Sequence, residues 1–499
     1  MKIINIMNFV RQCDPRIDDS ERILYETTAA EVALVKEYGY DSTFLLQYDA
    51  VVDPGYQKLF RQEADSHMEL GLWYEIVQPL TEKAGIPWRG REGWRWDWHV
   101  IPGFSMAYTI EERKKLIDIA MEDFREVFGA YPRTVASWLL DSFTVSYLAD
   151  NYPVTAFAIC RDQTNTDAYT LVGGYFNQAY YPSRRNMFTP AQSAGQQVNV
   201  PMFRLLGPDP IHNYDNDRYL TNERYLPYHG CYTLEPVWGS GADPETVDWF
   251  FRNYFRGEDL GFSYAQLGQE NSFGPALLPG LRMQFEKLKS WPDLCIWKMG
   301  DTGEWFRKTY PDSTPATCVS ALEDWDGSRR IQSVYYDCRN YMANLFRCDE
   351  KVFLRCLYRF DEDVPERYLD RPCQTWDATY ENLPLADTLL WEGNKGLVLD
   401  TRGGALSLAK AGENCLEVSW GDRQALFTEE GIRVRGLRES FLDAAGCPTQ
   451  PEAREDRILY CHEGHRYALR VAGGTVAAKD GGFLILSQGA EFTLFPEIF

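Results

Sequence analysis

Histidine is scarce in this sequence, and the few that occur are poorly placed to bind a metal. The chain of 499 residues has six histidines and no His-x-x-x-His pair. None follows the first predicted strand, and the closest two, His462 and His465, fall in a predicted hairpin of the C-terminal half. Zinc sites usually take several His or Cys ligands at short spacing. The sequence therefore predicts no metal centre, and no cofactor is expected.

Basic residues and several well-known catalytic motifs are also lacking. Lys and Arg number 51 against 73 Asp and Glu, which gives a formal net charge of −22. Nucleic acids and anionic membranes attract basic surfaces, so neither is expected as a partner. A neutral ligand fits this charge better, although solubility alone also accounts for an acidic surface. No phosphate-binding glycine loop, dinucleotide fingerprint or Gly-x-Ser-x-Gly elbow occurs.

Long apolar runs and paired cysteines are missing too. No run of about 18 apolar residues is present, as a membrane-spanning helix would need. Met1–Val10 has no cluster of basic residues at its start and no cleavage site, so it predicts a buried strand and no secretory signal. The 12 cysteines form no CxxC pair, and Cys160, Cys231 and Cys356 lie in apolar strand patterns. Reduced, buried thiols explain this better than disulfides, so we expect a cytoplasmic protein.

Residues 1–315 alternate short apolar strands with amphipathic helices. Ser20–Tyr38 predicts a helix ended by Gly39, and Ile110–Phe128 predicts another, with Thr109 and Glu112 placed for a capping box. The predicted strands are Lys2–Asn8, Ser42–Gln47, Gly71–Ile76, Val135–Asp141, Val154–Cys160, Val198–Leu205, Cys231–Val237, Phe262–Leu267 and Leu294–Lys298. This alternation indicates an α/β fold with a parallel sheet, which we expect to close into a (β/α)7-8-like barrel.

Residues 316–499 have a different pattern. Helical periods fade, and short alternating or β-branched stretches are separated by Gly, Asp and Asn. These stretches are Gln332–Tyr336, Val352–Tyr358, Gly396–Leu399, Ala405–Ala409, Leu416–Trp420, Ile432–Arg435 and Tyr467–Val471. They predict a C-terminal antiparallel β-sandwich domain. The segment Tyr310–Ala316, with its two prolines, marks the expected boundary.

Three carboxylates stand out among the polar residues that follow the predicted strands of the barrel. Asp141 is predicted to end an apolar strand, Glu235 lies between Leu234 and Pro236, and Glu270 lies in a glycine-bearing turn. Ligands of β/α barrels bind at this edge, and glycosidic bond cleavage commonly uses two carboxyl groups. The three are therefore candidate catalytic residues. Helix capping would also explain such residues, and pairing with Arg204 would explain Glu235.

A tryptophan-rich loop is the strongest candidate for sugar binding. Trp94–His99 places three Trp residues at alternate positions, with charged or polar residues between them. Indole rings suit the flat C–H faces of sugars, although the same rings could simply hold a loop against the barrel. The candidate substrate-binding residues are Asn8, Gln47, Glu75, Trp96, Asp97, Trp98, His99, Asp162, Gln163 and Arg204.

Several strings resemble a group of uncharacterised glycoside hydrolases from gut bacteria. These strings are WDW at 96–98, SWLLD at 137–141, CRDQ at 160–163, GGYFNQAYYPS at 173–183, FRLLGPDP at 203–210 and GQENSFG at 268–274. The layout is also similar to the distorted β/α barrels of polysaccharide deacetylases and of certain retaining glycosidases. The resemblance to these glycosidases implies a nucleophile after the fourth strand and a second carboxylate after the seventh. About eight of the predicted strands count towards the barrel, with one or two as additions to it. By this strand count the two positions hold Asp141 and Glu270, and a slip of one strand would bring in Glu235 or Asp162.

Three functions remain open on the sequence alone. The leading hypothesis is a glycoside hydrolase acting on an oligosaccharide or small glycoside. A metal-dependent carbohydrate deacetylase and a non-catalytic carbohydrate-binding protein are the alternatives, and a homo-oligomer is left open. The resemblance to deacetylases implies a metal-binding Asp with two nearby His, a pair that this chain lacks. If the leading hypothesis holds, replacing Asp141, Glu235 or Glu270 by its amide is expected to abolish turnover while leaving thermal stability nearly intact.

Overall fold

The computed structural model describes most of the chain. The described residues are 1–160, 162–166, 168–205, 211, 244–255, 260–323, 330–380 and 382–498. The predicted strand Cys231–Val237, with Glu235, lies outside these ranges. In the part of the chain that is described, no helix is both long enough and apolar enough to cross a membrane.

A parallel sheet forms the first part of the fold. Its strands and their small neighbours are β1 (Lys2–Val10), β2 (Ser42–Gln47), β3 (Met68–Trp73), β4 (Thr134–Ala136), β5 (Ala156–Cys160), β6 (Gln163–Thr166), β7 (Tyr169–Leu171), β8 (Ala179–Tyr180), β9 (Met202–Leu205), β10 (Ser263–Leu267) and β11 (Leu294–Trp297). The parallel strands run in the order β10-β1-β2-β3-β4-β5-β9. β11 also pairs with β1, and β8 adds antiparallel to β9.

Helices alternate with these strands and cover the sheet. They are α1 (Ser20–Tyr38), α2 (Tyr48–Val52), α3 (Pro54–Glu63), α4 (Gln78–Ala84), α5 (Val100–Gly103), α6 (Ile110–Phe128), α7 (Ser142–Asn151), α8 (Pro244–Tyr254), α9 (Leu278–Leu288) and α10 (Met299–Thr309). The predicted bounds of α1 and α6 are confirmed. The capping box of Thr109 and Glu112 is present at α6. Gly39 ends α1 with a φ of 64°, a left-handed conformation that glycine adopts easily.

Burial on both faces explains the apolar sequence of β1. From Ile3 to Val10 every residue of β1 is buried. A strand covered by helices on one side and by the interior of the sheet on the other has no solvent face, so its sequence is apolar without alternation. The two exceptions, Asn5 and Asn8, are also buried. The core of this part of the protein lies against both faces of the sheet.

Antiparallel sheets make up the C-terminal part. Their strands are β12 (Thr317–Ala321), β13 (Gln332–Asp337), β14 (Tyr341–Cys348), β15 (Lys351–Arg359), β16 (Ala378–Tyr380), β17 (Leu383–Asp387), β18 (Leu397–Asp400), β19 (Ser407–Gly412), β20 (Cys415–Trp420), β21 (Arg423–Phe427), β22 (Ile432–Arg435), β23 (Glu439–Asp443), β24 (Glu452–Arg454), β25 (Arg457–His462), β26 (His465–Ala472), β27 (Gly474–Lys479), β28 (Gly482–Ser487) and β29 (Glu491–Ile498). One sheet runs β12-β13-β14-β15-β18-β23-β28-β27, with β17 also on β15, and the other runs β19-β20-β21-β22-β29-β26-β25-β24. Both sheets contribute to one hydrophobic core.

A small third sheet joins the two parts of the chain. β16, from the C-terminal part, pairs in parallel with β7, and β7 pairs antiparallel with β6. Residues 361–380 therefore cross to the side of the parallel sheet, where the loops after its strands lie. This crossing places C-terminal residues next to the Trp94–His99 loop.

The structure corrects several predicted strands. The predicted Val198–Leu205 begins four residues later, as β9. The predicted Gly71–Ile76 begins and ends three residues earlier, as β3. The prediction that Asp141 ends a strand is wrong, because β4 stops at Ala136 and Asp141 is instead the N-cap of α7. Leu139 and Leu140 are buried in the connection between β4 and α7. An apolar run in a buried connection has the same composition as a strand, which explains the error.

Candidate active site

Three charged side chains meet beyond the C-terminal ends of neighbouring parallel strands. Arg11 follows β1, Glu75 follows β3 and Glu270 follows β10. β10 pairs directly with β1, and β2 lies between β1 and β3. This edge of the sheet is where β/α folds place their ligands. Arg11, Glu75 and Glu270 are called the carboxylate–arginine cluster below.

A glycine allows the chain after β10 to pass close to β1. Gly268 has a φ of 129°, and a Cβ atom there would lie 1.9 Å from the carbonyl oxygen of Met7. The Phe9 backbone N–H donates to the Gln269 carbonyl at 3.0 Å, and Phe9 forms an isolated parallel bridge with Glu270. A side chain at position 268 would prevent this approach. Gly268 therefore fixes Glu270 beside the end of β1.

Arg11 is the centre of the carboxylate–arginine cluster. Its Nη1 donates to Glu270 Oε2 and, at 3.1 Å, to Ser272 Oγ. Its Nη2 lies 3.5 Å from Glu75 Oε2, and its Cζ lies 4.4 Å from the centre of the Trp96 ring. Burial alone would lower the pKa of Arg11, but Glu270 and Glu75 raise it. A permanent positive charge thus stands between two buried carboxyl groups.

Glu75 is held by three donors on one oxygen. Its Oε2 accepts hydrogen bonds from Gln47 Nε2 at 2.6 Å, Trp73 Nε1 at 2.8 Å and Trp96 Nε1 at 3.1 Å. Its Oε1 is buried and has no hydrogen-bond partner among the described residues. A buried carboxyl oxygen without a partner is costly when the group is ionised. The Oε1 position is therefore suited to carry a proton.

The electrostatic environment agrees with that assignment. Burial raises the pKa of Glu75 above its ordinary value, and Glu270 adds to the rise, while Arg11 and the Trp73 hydrogen bond oppose it. Glu270, in contrast, is paired directly with the Arg11 guanidinium. The Arg11 guanidinium thus lies between Glu75, whose pKa is raised, and Glu270, which is ion-paired with it. Such pairs with opposed environments carry out acid and base roles in enzymes.

Aromatic rings surround the carboxylate–arginine cluster. Phe9 and Trp73 stack with ring centroids 4.5 Å apart. Half-buried Trp138 meets both rings edge-on, with its centroid 5.5 Å from that of Phe9 and 5.0 Å from that of Trp73. The Trp96 ring, beneath Arg11, also lies 4.9 Å from the guanidinium of Arg16. These rings give the site flat apolar walls around its charged centre.

An internal ion pair organises the Trp94–His99 loop. Asp97 accepts from Arg91 Nε and Nη2 at 2.8 and 2.9 Å and contacts His99 Nδ1 at 2.8 Å. Although burial opposes it, the Arg91 and His99 hydrogen bonds hold the pKa of Asp97 below its ordinary value. Arg91 in turn lies 3.5 Å from the Trp94 ring and 4.2 Å from the Trp98 ring. Asp97 therefore shapes the loop, and its Trp rings remain the candidate sugar contacts.

Asp141 has the contacts of a structural residue. It is fully buried and pairs with Arg113 Nη1 at 2.8 Å. Thr144 donates to it through its backbone N–H at 3.0 Å and its hydroxyl at 2.7 Å, and the Ser105 hydroxyl also donates to it. These contacts cap α7 and neutralise a buried arginine. Among the contacts of the carboxylate–arginine cluster, none involves Asp141.

The other predicted site residues are spread along the same edge of the sheet. Asp162 pairs with Arg204 Nη2 at 2.6 Å, both completely buried, and Arg204 Nε donates to the Cys160 carbonyl at 2.8 Å. Asn8 Oδ1 accepts from the Gln269 N–H at 3.4 Å. Only the backbone of Gln163, in β6, is described. The structure thus brings together Gln47, Glu75, Trp96 and Glu270 and keeps Asp162 with Arg204 in a separate pair.

Arg11 and two tryptophans were missed by the sequence prediction of the site. Arg11 follows the apolar sequence of β1 directly after Val10 and is itself buried, and a buried charged residue must find partners. This signal could have identified it. Trp73 looks like an ordinary core residue of β3, and Trp138 like part of a strand, so their place beside Glu75 and Phe9 depends on tertiary structure alone.

The described residues do not fit a metal centre. In the described ranges no group of three or more His, Cys, Asp or Glu side chains is arranged to hold a metal ion. Asp14, the acidic residue nearest the end of β1, has both oxygens bound by Arg16, at 2.8 and 2.5 Å.

Comparison with known proteins gives a fold. No family model matches the chain, and no curated protein matches it. A solved structure of a proposed glycoside hydrolase/deacetylase from Parabacteroides distasonis matches 76% of this chain and 90% of its own, with 15% identity and a TM-score of 0.56. A proposed polysaccharide deacetylase from Mycobacterium smegmatis and a GH57 branching enzyme from Thermococcus kodakaraensis each match 62% of this chain at 10% identity. These two matches cover 91% and 71% of the neighbours' own chains, with TM-scores of 0.37 and 0.33, respectively. The first of these matches shows a shared fold.

Proposed function

We propose that this protein is a hydrolase of glycosidic bonds and that the carboxylate–arginine cluster is its reacting centre. The observation that carries the proposal is the pairing of Glu75, whose pKa is raised by burial, with Glu270, which is held by Arg11. Most glycosidases use one carboxylic acid and one carboxylate. The two groups lie at the ligand-binding edge of the sheet and are flanked by tryptophans.

In this proposal the two carboxyl groups have different tasks. Glu75 donates its proton to the oxygen of the leaving sugar as the C–O bond breaks. Glu270 either takes a proton from the water that attacks the sugar carbon, or attacks that carbon itself. In the second case a water molecule, which gives its proton to the now ionised Glu75, breaks the sugar–Glu270 bond and frees Glu270. The distance between the two groups decides between the routes. Arg11 keeps Glu270 in place and prevents two neighbouring carboxylates from repelling each other. Water supplies the oxygen of the new hydroxyl group.

The shared fold and the aromatic walls support a sugar as substrate. The Parabacteroides distasonis protein is described as a proposed glycoside hydrolase/deacetylase. The sequence strings that resemble glycoside hydrolases from gut bacteria also favour a sugar substrate. Half-buried Trp98 and Trp138, which pack on the buried rings of Trp96, Trp73 and Phe9, supply flat apolar surface of the kind that sugar rings contact. An oligosaccharide or a small glycoside therefore suits this site.

Other sequence predictions remain proposals beside this one. The row of seven described parallel strands supports a closed barrel, and the core shared by two antiparallel sheets supports a sandwich with a boundary near residue 315. Buried Cys160, Cys338 and Cys356 support a reducing compartment such as the cytoplasm. Asp141 and Glu235 stay sequence predictions of catalytic residues, and Glu235 lies outside the described residues.

A substrate array tests the proposed function. Purified protein is incubated with aryl glycosides and unlabelled oligosaccharides, and released sugars are identified together with their anomeric form. Turnover of a defined glycoside is the expected result, and the anomer decides between retention and inversion. Acetylated oligosaccharides are included in the same array. Release of acetate without any glycosidic cleavage would replace the proposal by a deacetylase.

The pH dependence of activity is expected to follow Glu75. Glu75 must be protonated to act as the acid, so activity falls as the pH rises through its pKa. The Trp96 N–H stabilises the ionised form of Glu75. Trp96→Phe keeps a ring beneath Arg11 but removes this donor, so it raises the pKa of Glu75. The alkaline limb of kcat/KM should move up by about one pH unit, since a hydrogen bond to a charged group contributes about 1.5 kcal/mol.

Trp88→Phe is the matched control for this pH profile. Trp88 lies in the same connection, and its Nε1 donates to the Trp94 carbonyl at 2.8 Å, away from Glu75. Its removal should leave both limbs unchanged. If the alkaline limb of the kcat/KM profile of Trp96→Phe lies at the same pH as in the parent, Glu75 is not the group whose protonation limits activity.

A further inference from the structure

We infer that Trp376, from the C-terminal part of the chain, forms a distal binding subsite for a neutral oligosaccharide that extends outward from the carboxylate–arginine cluster. The inference rests on the proposed function and adds the length and charge class of its substrate. It also gives the C-terminal part of the chain a direct role in recognition.

Trp376 is unusual in its exposure. Its side chain is 44% exposed, whereas every other tryptophan in the described ranges is buried or half-buried. An exposed indole ring offers a large, rigid and amphipathic surface to a ligand. Trp376 lies in the segment that crosses from the antiparallel sheets to the Trp94–His99 loop.

A continuous series of rings leads from Trp376 to the carboxylate–arginine cluster. The Trp376 ring meets the His99 ring edge-on, with ring centroids 4.9 Å apart. The His99 ring stacks on the Trp98 ring, with centroids 5.3 Å apart and an interplanar angle of 22°. Trp98 then contacts Trp96 at 6.1 Å, and Trp96 lies beneath Arg11. Each step joins neighbouring rings, and exposure falls from Trp376, through half-buried His99 and Trp98, to buried Trp96. The series thus connects the solvent with the proposed reacting centre.

The backbone holds Trp376 in position on both sides. The Val100 N–H donates to the Trp376 carbonyl at 3.0 Å, directly after His99. Upstream, the Cys373 N–H donates to the Met106 carbonyl at 2.8 Å, and downstream Ala378 begins β16. A ring presented by a fixed backbone binds a ligand without a large loss of conformational freedom.

Charge along this path favours a neutral sugar. Two partly exposed arginines, Arg16 and Arg91, lie over its tryptophan rings, and each is already paired with a carboxylate. The pairs are Arg16 with Asp14 and Arg91 with Asp97. No unpaired positive charge is contributed by these two, and the chain as a whole is strongly acidic. An anionic sugar would meet no available counter-charge among them, so hydroxyl groups and C–H faces are what the path can recognise.

Binding of neutral oligosaccharides of one to six units tests the inference. The probes are gluco-, manno-, xylo- and galacto-oligosaccharides, titrated by calorimetry against the Glu270→Gln protein so that none is cleaved. Affinity for the preferred series should rise with length. Trp376→Ala in the same background should weaken binding of the longer members about tenfold, equivalent to about 1.4 kcal/mol, and leave the monosaccharide unchanged. Trp376→Phe should restore most of the loss.

Leu486→Ala is the control, because Leu486 is similarly exposed, at 38%, but belongs to β28 and lies off the ring series. It should bind all lengths as the parent does. Equal affinity of Trp376→Ala and its parent for long oligosaccharides would overturn the inference, as would an absence of binding by any neutral series. Cleavage of small aryl glycosides by the wild-type protein tests the proposed function separately. That cleavage, combined with an unaffected Trp376→Ala variant, would leave the reacting centre standing and remove only the distal subsite.

Discussion

Glu75→Gln and Glu270→Gln each lower kcat/KM by about a hundredfold to ten-thousandfold, the range by which proton transfer from a positioned side chain contributes to catalysis. The first variant cannot donate a proton, and the second cannot act as a nucleophile or base. Both amides keep the size of the side chain they replace, and the amide oxygen introduced at position 75 can still accept a hydrogen bond from Trp73. The measurement is kcat/KM on the glycoside that the array identifies, with the thermal midpoint of each variant recorded alongside.

Glu69→Gln separates catalysis from the general effect of altering a buried glutamate. Glu69 lies on β3, the strand that Glu75 follows. Glu69 is also buried, and burial raises its pKa as well. It accepts from the Thr134 hydroxyl and from the Gly300 N–H at 3.1 Å, at the opposite end of the strand from Glu75. Its variant should lose stability and keep kcat. If Glu69→Gln and Glu75→Gln lose activity alike, the assignment of Glu75 fails.

Asp141→Asn lowers the free energy of unfolding by about 3–5 kcal/mol, because it leaves the buried Arg113 without its counter-charge. Asn can still cap α7, so the helix itself should survive. The folded protein should retain its kcat, since Asp141 makes no contact with the carboxylate–arginine cluster among the contacts described. Urea unfolding and kcat at a temperature well below the midpoint measure the two effects.

Glu111→Gln is the control for this stability loss. Glu111 lies in the first turn of α6, the helix that carries Arg113. Its partner Lys114 is half-exposed, and the Glu111 side chain itself is 84% exposed. A surface pair of this kind contributes about 0–1 kcal/mol. The opposite pattern for Asp141→Asn, with lost turnover and unchanged stability, would make Asp141 part of the catalytic pair, as the strand count had predicted.

Local signals in the sequence were sufficient for the long helices and for much of the parallel sheet. α1 and α6 carry an end signal each, in Gly39 and in the capping box of Thr109 and Glu112, and their predicted bounds are confirmed. β2 was also predicted with its observed bounds. These elements are determined by residues within one turn or one strand, which a single sequence displays directly.

The site depended on contacts that a sequence does not display. Carboxylates after strands are visible in a sequence, so Glu270 was predicted as a catalytic residue and Glu75 as a substrate-binding residue. The proposal that Glu75 is the acid rests on its burial and on Arg11, which the sequence does not display. The link between Trp376 and His99 joins residues 277 positions apart across two parts of the fold. Asp141 was misplaced because a buried apolar connection and a buried strand have the same composition.

Covalent labelling of the reacting carboxyl group tests the central claim most directly. An epoxide-bearing analogue of the sugar identified by the array alkylates a carboxylate in the reacting centre, and peptide mass spectrometry locates the modified residue. Labelling should occur on Glu270 or Glu75, and free substrate should protect against it. A label on Asp141 or on Glu235, with Glu75 and Glu270 unmodified, would contradict the assignment of the carboxylate–arginine cluster as the reacting centre.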